Sequence, residues 1–430
     1  MSAPRRPRPS RAAVVLGVLA AALFALAAVL ALRGHGGTGS RRGSAEAGAG
    51  TVYLETGVAQ RGRNSVLALR YRDGSLRPLQ ITEYPTGGAA AFDLSDSGVL
   101  DADQQLAVNA AGTLLFAVNQ GSDTVAVFHI APDGTLSPVA GSPFPSGGKA
   151  PASVGVSGDV LVVANKAVDG VRDLRDVEPS YTTFRIGSDG ALTPTGYTMR
   201  ETPRASPTQV YVAPGGRLVF TTEESGVLRV LDLAPNGRLT EAAGSPYGLP
   251  NSLFPPGGRP SPVWPAGLSS EPGAGVLYSG IPNNNSIVAY DYDAAGRLSL
   301  QSETADPAAS LPCWSVVSAD GHWLYFANAG SDNVSVFALR PDPRRPQLHQ
   351  TVALRGGGNP WGLRLDPTGR FLYVITPRQV GTDPPGSGQL LHVLRIATDG
   401  SVSETADSPV PLPVAVDTNP VGLAVVPDRG

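Results

Sequence analysis

Acidic and basic side chains at the ends of predicted strands are the residues best placed to do chemistry in this sequence. Glu223 ends an apolar run that begins at Leu218, and Glu224 follows it directly. Such a carboxylate can act as a general base if burial raises its pKa, and a cation such as Arg378 or Lys166 can stabilise a developing oxyanion. The alternative is a solvated acidic rim. The candidate catalytic residues are therefore Glu223 and Arg378.

A second set of residues has the chemistry of ligand binding. The set is Trp264, Trp314, Trp361, Gln209, Lys166 and Asn165. The three tryptophans begin apolar runs in consecutive stretches of the chain, and an arc of such rings could stack on a planar or sugar-like ligand. Alternatively, the rings fill the centre of the fold or pack between its units, and the asparagine caps the turn that follows it.

Several other chemistries are disfavoured by composition. Cys313 is the single cysteine, and the five histidines are scattered without a metal-binding spacing, so we predict no metal site and no disulfide framework. No GxGxxG motif follows a strand and opens a helix, so no dinucleotide cofactor is expected. The chain has a net charge of −3, and because its first fifty residues carry +6, the remainder carries −9. This acidic body argues against nucleic acid as a partner.

The elements that must position these residues form a repeat. The chain contains 52 glycines and 40 prolines, so turns are frequent and long helices are unexpected. From Thr51 onward each unit reads as four short antiparallel strands. The apolar centres of the second strands are Val52–Leu54, Leu114–Phe116, Val160–Val162, Leu218–Phe220, Val276–Tyr278, Leu324–Phe326 and Leu372–Val374. Period-two third strands follow them, and glycine recurs in the next turn, for example at Gly134 and Gly400.

The two ends of the repeat region complement each other. The first unit lacks a first strand ahead of Thr51, whereas the chain ends with an unaccompanied first strand that begins at Pro420. Pairing these ends would close a ring and remove exposed sheet edges. The sequence therefore predicts an all-β, seven-bladed β-propeller of four-stranded antiparallel blades over residues 51–430, closed by the C-terminal strand.

The amino-terminal segment has the pattern of a targeting sequence. Four arginines between Arg5 and Arg11 precede an apolar run from Ala12 to Leu32, which is long enough to cross a bilayer as a helix. Residues 1–32 are predicted to be a cleaved signal peptide or an uncleaved signal anchor, and both alternatives stay open. Residues 33–50 are predicted to be a flexible Gly/Ser/Arg linker. The expected location is extracytoplasmic, with membrane attachment through residues 12–32 if cleavage does not occur.

Three phrases of the repeat carry a family resemblance. They are NAAGTLLFAVNQGSDTVAVFHIAPDGTLSPV, SADGHWLYFANAGSDNVSVFAL and DPTGRFLYVITPR. They resemble the lactonase family of seven-bladed propellers, which contains bacterial 6-phosphogluconolactonases and fungal carboxymuconate-lactonising enzymes. Pro312–Trp314, before a Ser-Ala-Asp-Gly turn, looks like an exported branch of it.

The resemblance implies lactone hydrolysis, with one departure. Catalytic members carry histidine near the starts of first strands, with arginine and glutamate from neighbouring blades. Here the matching positions read Pro151–Ser153 and Pro207–Gln209, without an imidazole. Glu223 would have to replace it as the base.

Long connections indicate where a ligand would bind. Four of them, at 81–103, 167–180, 250–263 and 377–389, belong to one face of the predicted ring, and repeat proteins usually bind on the face where insertions collect. We therefore expect a small organic ligand at the channel mouth on that face, with lactone hydrolysis as the possible reaction. The rival hypothesis is a non-enzymatic scaffold that binds a protein or a cell-wall glycan there.

Overall fold

The chain folds into seven antiparallel sheets arranged as a ring. The structure is a computed structural model that describes residues 48–91, 102–169, 172–253, 265–378, 388–415 and 418–429, except for the side chain of Arg378. The predicted targeting segment and nearly all of the predicted linker lie outside these residues. In the described part of the chain, no helix has the length and apolarity that a membrane crossing requires.

Each blade has four strands, numbered here from the axis outward. The first strands, in ring order, are β31 (Val421–Pro427), β4 (Leu106–Val108), β9 (Pro151–Ser157), β13 (Pro207–Val212), β18 (Ala266–Ser270), β22 (Pro312–Val317) and β26 (Gly362–Leu365). The second strands are β1 (Ala49–Glu55), β5 (Leu114–Asn119), β10 (Val160–Asn165), β14 (Leu218–Glu223), β19 (Val276–Ile281), β23 (Trp323–Asn328) and β27 (Phe371–Arg378). We number the blades 1 to 7 in this order.

The outer strands complete the blades. The third strands are β2 (Ser65–Arg72), β6 (Thr124–Ile130), β11 (Ser180–Ile186), β15 (Val227–Leu233), β20 (Ser286–Tyr292), β24 (Asn333–Ala338) and β28 (Gly388–Ile396). The fourth strands are β3 (Ile81–Pro85), β7 (Leu136–Pro138), β12 (Leu192–Arg200), β16 (Leu239–Glu241), β21 (Leu298–Ala305), β25 (Gln347–Ala353) and β29 (Val402–Glu404). Three short strands also pair with third strands: β8 (Phe144–Pro145), β17 (Tyr247–Gly248) and β30 (Val410–Pro411). Single 3₁₀ turns occur at Gln120–Ser122, Asn251–Leu253 and Pro282–Asn284.

The predicted fold is confirmed, including the closure of the ring. The C-terminal strand β31 pairs with β1 antiparallel, with Val52 opposite Val425 and Thr51 opposite Val426. β1 begins at Ala49, two residues before the predicted start of the domain. β3 occupies the beginning of the connection predicted over 81–103, so that connection is shorter than expected.

The recurrent turn glycine has a steric cause. In blade 2, Gly134 has φ +80°, and a Cβ there would lie 2.1 Å from the Oγ1 atom of Thr51 in blade 1. In blade 7, Gly400 has φ +78°, and its Cβ would lie 2.1 Å from the ring of Trp323 in blade 6. Both conditions favour glycine. The turn between third and fourth strands therefore packs closely against the preceding blade.

The hydrophobic core lies between the faces of neighbouring sheets. Tyr53, Phe116, Phe220, Tyr278 and Tyr325 of the second strands are fully buried. Because both faces of each sheet are covered, second strands read as apolar runs rather than as alternating ones. This packing holds the seven first strands around one axis, where the candidate site is found.

Candidate functional site

Glu223 lies in an ion cluster between blades 3 and 4. Its carboxylate accepts a hydrogen bond from Arg229 Nε at 2.8 Å, and it also lies 3.3 Å from the hydroxyl of Tyr181. Arg229 pairs in addition with Glu201 and Glu241, so three carboxylates surround one guanidinium. Burial, together with the neighbouring Glu223 carboxylate, raises the pKa of Glu201 to about 7 against the lowering effect of Arg229. Glu223 thus faces a neighbouring blade and is held by an ion pair.

The two predicted catalytic residues are in different parts of the ring. Glu223 ends the second strand of blade 4, and Arg378 ends the second strand of blade 7. Three steps around the ring separate these blades. The structure does not bring the two residues together.

Lys166 and Asn165 follow one another at the end of β10. The Lys166 ammonium is fully buried and lies 2.7 Å from Oε1 of Glu224, which links blades 3 and 4. The Asn165 side chain donates hydrogen bonds to Oγ1 of Thr182 and to the carbonyl of Ser180 in the adjacent strand. These contacts hold the end of β10 in place and stabilise the interface between blades 3 and 4.

Two of the predicted tryptophans are packed inside the fold. Trp314 is fully buried, Trp361 is 8% exposed, and their ring centroids are 6.4 Å apart. Both belong to the largest apolar cluster, in which blades 6 and 7 meet. Their faces are therefore covered by protein. Trp264 lies outside the described residues.

Gln209 is the member of the predicted set that lies at the ring axis. Its Nε2 is 3.2 Å from Asp103 Oδ2 and 3.1 Å from Gln104 Oε1, and its Oε1 accepts a hydrogen bond from the backbone N–H of Leu268 at 2.6 Å. Gln209 is 1% exposed, so every one of these bonds is made away from bulk water. It joins blades 4 and 5 to the segment that precedes β4.

The segment that precedes β4 enters the channel and is held there by backbone hydrogen bonds. The N–H of Asp103 donates to the carbonyl of Thr208 in blade 4, and the carbonyl of Gln104 accepts from Val154 in blade 3. Gln104 has φ +60°, a left-handed conformation that is uncommon for residues other than glycine. The backbone hydrogen bonds to blades 3 and 4 hold Asp103 inside the channel.

Asp103 forms an ion pair with Arg364 across the channel. Arg364 Nη2 lies 3.3 Å from Asp103 Oδ1, while its Nη1 donates to the carbonyl of Leu363 at 2.7 Å. The side chain of Asp103 is 6% exposed and that of Arg364 is 22% exposed. A buried carboxylate and a more accessible guanidinium therefore face the same space, from blades 2 and 7 respectively.

This space is a cavity of about 490 Å³ on the ring axis, lined by residues from all seven blades. Its polar wall contains Asp103, Gln104, Gln209, Tyr211, Ser269, Ser270, Ser315 and Arg364. The Tyr211 hydroxyl accepts a hydrogen bond from the backbone N–H of Ser270 at 3.1 Å, and burial raises its pKa. A cavity of this size and mixed polarity is typical of a small-molecule site.

The axial cavity reaches the face opposite to the predicted one. Pro214 and Pro272, in turns that join first and second strands, belong to its lining. The long connections were expected to direct a ligand to the other face. A larger cavity of about 850 Å³ lies on that face, but its walls come only from blade 1 and from the connection between β30 and β31.

The comparisons with known proteins agree with the fold. Residues 271–416 match the sequence family described as Lactonase, 7-bladed beta-propeller. The matched residues make up about a third of the chain. No curated protein matches the chain significantly.

Solved structures resemble this propeller over nearly the whole length of the chain. A proposed 6-phosphogluconolactonase from Bacteroides fragilis is 18% identical, with a TM-score of 0.64, and the alignment covers 89% of this chain and 99% of that one. The periplasmic gluconolactonase PpgL of Pseudomonas aeruginosa is also 18% identical, with a TM-score of 0.62, and the coverage is 88% and 99%. At this identity the likeness shows the fold.

Sequence reasoning missed the pair of charges on the axis. Arg364 is the fourth residue after the proline that precedes the first strand of blade 7. In other blades the residue at the same distance from the corresponding proline is Gly155, Tyr211, Val316 or Ala424. A single charge at a position that is otherwise uncharged was the available signal. Asp103 gave no comparable signal, because it belongs to an irregular segment.

Proposed function

We propose that this propeller is a member of the lactonase family that binds a lactone in the axial cavity and opens the ring by hydrolysis. The observation that carries the proposal is the pairing of Asp103 with Arg364 at the inner end of the cavity. The match of residues 271–416 to the lactonase family supports the reaction class, and the named activities of the structural relatives, a proposed 6-phosphogluconolactonase and a gluconolactonase, are consistent with it. No metal or cofactor is needed for this reaction.

In the proposed mechanism, Asp103 is the general base. Its carboxylate takes a proton from water as the water oxygen bonds to the lactone carbonyl carbon. The carbonyl oxygen becomes an oxyanion, which the Arg364 guanidinium stabilises in a site that is largely shielded from solvent. The tetrahedral intermediate then collapses with cleavage of the ring C–O bond, and the departing alkoxide takes the proton back from Asp103. The product is a hydroxy acid, which ionises and releases a proton.

Gln209 is a positioning residue in this mechanism. It donates to one oxygen of Asp103 and is itself oriented by the backbone N–H of Leu268. The second oxygen of Asp103 contacts Arg364. These bonds fix the carboxylate between two blades, so that the base is oriented before the substrate arrives.

The proposed setting of this activity is extracytoplasmic. The arginines followed by the apolar run 12–32 support export, with or without cleavage of that run. The partner is a small molecule, and the propeller is either secreted or attached to the membrane through its first residues. The rival function is a scaffold for a protein or a cell-wall glycan.

Proton release during lactone opening tests the proposal. The purified full chain is incubated with a panel of five- and six-membered lactones, and acid production is followed with a pH indicator. Asp103→Asn should lower kcat by about 10² to 10⁴, the usual contribution of a general base. Arg364→Met should lower kcat by about 10² to 10³ through the loss of oxyanion stabilisation.

A second Asp–Arg ion pair, on the outer part of blade 4, provides the control. Asp232 pairs with Arg217 and is solvent-accessible, so Asp232→Asn should leave the rate unchanged. If Asp103→Asn retains the wild-type rate, the assignment of the base is wrong. If no lactone is opened while a protein or glycan binds, the scaffold function replaces the enzymatic one.

A further inference from the structure

The axial cavity changes from polar to apolar along the ring axis. Its polar inner end contains the Asp103–Arg364 pair. Six half-buried valines line the outer part, each within the last three residues of a first strand: Val108, Val156, Val212, Val316, Val317 and Val425. The first strands run in the same direction around the ring, so these valines lie toward the strand ends that lead to the exposed mouth residues Pro214 and Pro272. We call these six residues the valine ring.

The charge of the cavity is balanced without a ligand. Among the described residues that line it, only Asp103 and Arg364 are charged, and they already pair with each other at 3.3 Å. A phosphate monoester carries a charge of about −1.5 to −2 near neutral pH. Moving such a charge to the inner end of the cavity, where Asp103 is buried, without a compensating cation is costly. Serine and tyrosine hydroxyls in the wall supply hydrogen bonds but no positive charge.

We propose that the ligand of this cavity is an uncharged lactone with a hydrocarbon substituent, rather than a phosphorylated sugar lactone. This inference rests on the proposed function and deepens it. The lactone ring lies at the inner end, with its carbonyl toward Arg364 and Asp103. The hydrocarbon substituent extends along the axis into the valine ring, where its burial removes apolar surface from water on both sides.

The length of the substituent gives the inference a quantitative signature. Burial of one methylene contributes about 0.8 kcal/mol, which corresponds to a factor of about 4 in affinity. Along a series of γ-lactones with no substituent, ethyl, butyl and hexyl, kcat/KM should therefore rise by up to about fourfold per methylene. The rise should stop once the chain passes the valine ring into solvent. The 6-phosphorylated gluconolactone should be at least about 100-fold poorer than the butyl lactone.

Threonine replaces valine with nearly the same shape but adds a hydroxyl group, which makes it a suitable probe of the valine ring. The double variant Val156→Thr/Val212→Thr should lower kcat/KM for the hexyl lactone by about threefold to tenfold relative to kcat/KM for the unsubstituted lactone. The matched control is Val352→Thr, because Val352 is half-buried on an outer strand of blade 6, remote from the axis. It should leave the whole series unchanged.

The outcomes separate this inference from the proposed function. Preference for the phosphorylated lactone, or a flat response to chain length, would overturn the inference while lactone hydrolysis still stands. If no lactone is opened, the proposed function fails, and calorimetric titration decides the inference independently. In that titration alkyl pyrrolidinones, which are lactam analogues of the series, should bind more tightly as the chain lengthens, and 6-phosphogluconate should not bind. Absence of binding by every alkyl pyrrolidinone, or binding of 6-phosphogluconate alone, would also overturn the inference.

Discussion

Removal of the C-terminal strand should unfold the propeller as a whole. β31 buries Val421, Leu423, Ala424 and Val426 against blades 1, 2 and 7, and it supplies the whole first strand of blade 1. Full burial of a valine or leucine side chain contributes about 1.5 to 3 kcal/mol. The three larger side chains alone therefore account for roughly 5 to 9 kcal/mol. That loss is comparable to the entire stability of a typical domain.

Ionic contacts next to β31 add to this closure. Asp428 forms two hydrogen bonds with Arg70 of β2, at 2.7 and 2.5 Å. Arg429 reaches the carbonyls of Ala111 and Ile130 in blade 2. The last residues thus connect blades 1 and 2 as well as completing a sheet.

Urea denaturation, followed by near-UV circular dichroism, measures the contribution of β31. Deletion of residues 420–430 should abolish the cooperative transition, and Leu423→Ala should lower the free energy of unfolding by about 2 to 5 kcal/mol. The control Val425→Ala, in the same strand but half-buried, should cost less than about 1.5 kcal/mol. A truncated chain that keeps the wild-type unfolding midpoint would refute closure by β31.

Three further predictions concern buried carboxyl groups. The pKa of Glu201 is raised from 4.5 to about 7 in the folded state, so the stability that this carboxyl contributes is complete below pH 4.5 and is lost as the pH rises through 7. The loss should be at most about 2 kcal/mol after solvent screening. Glu201→Gln should remove this pH dependence in urea titrations at several pH values. For Glu404, burial opposes ionisation, but hydrogen bonds from His392 and Ser408 outweigh it and lower the pKa to about 2. Its stabilisation, up to about 2 kcal/mol, should therefore be lost as the pH falls from 4.5 to 2, and Glu404→Gln should show a shallower acid transition. Burial raises the pKa of Glu55 well above its usual value of 4.5, so the stability that the Glu55 carboxyl contributes should fall as the pH rises above 4.5. Glu55→Gln should remove this slope in urea titrations at several pH values, and a slope that persists in the variant would contradict the assignment.

The fold was predictable because its determinants are local and repeated. A short apolar run, a glycine turn and an alternating run recur in each unit, and each signal depends on a few neighbouring residues. Gly134 and Gly400 illustrate this, because positive φ and close packing both favour glycine at that turn. A first strand is missing before Thr51, and an extra one follows Pro420. The sequence therefore predicted that the C-terminal strand completes the first blade and closes the ring.

The site was less predictable because strand ends do not reveal which space a side chain enters. Glu223 has the sequence pattern of a rim carboxylate, but Arg229 on the adjacent strand compensates its charge between two blades. Gln209, predicted as a ligand-binding residue, lies at the axis and contacts Asp103 and Gln104. Asp103 and Arg364 are 261 residues apart, and they meet only because the backbone of the segment before β4 bonds to blades 3 and 4 inside the channel. Such a contact depends on the closed ring.

The most direct test of the account is a crystal structure of the full chain with a butyl-substituted pyrrolidinone, a lactam analogue that should resist this hydrolysis. We predict that the ligand carbonyl lies within hydrogen-bond distance of Arg364, beside Asp103, with the butyl group among the valines at the outer end of the axial cavity. Ligand density on the opposite face, beside Lys166 and Glu224, with an empty axial cavity would contradict the account.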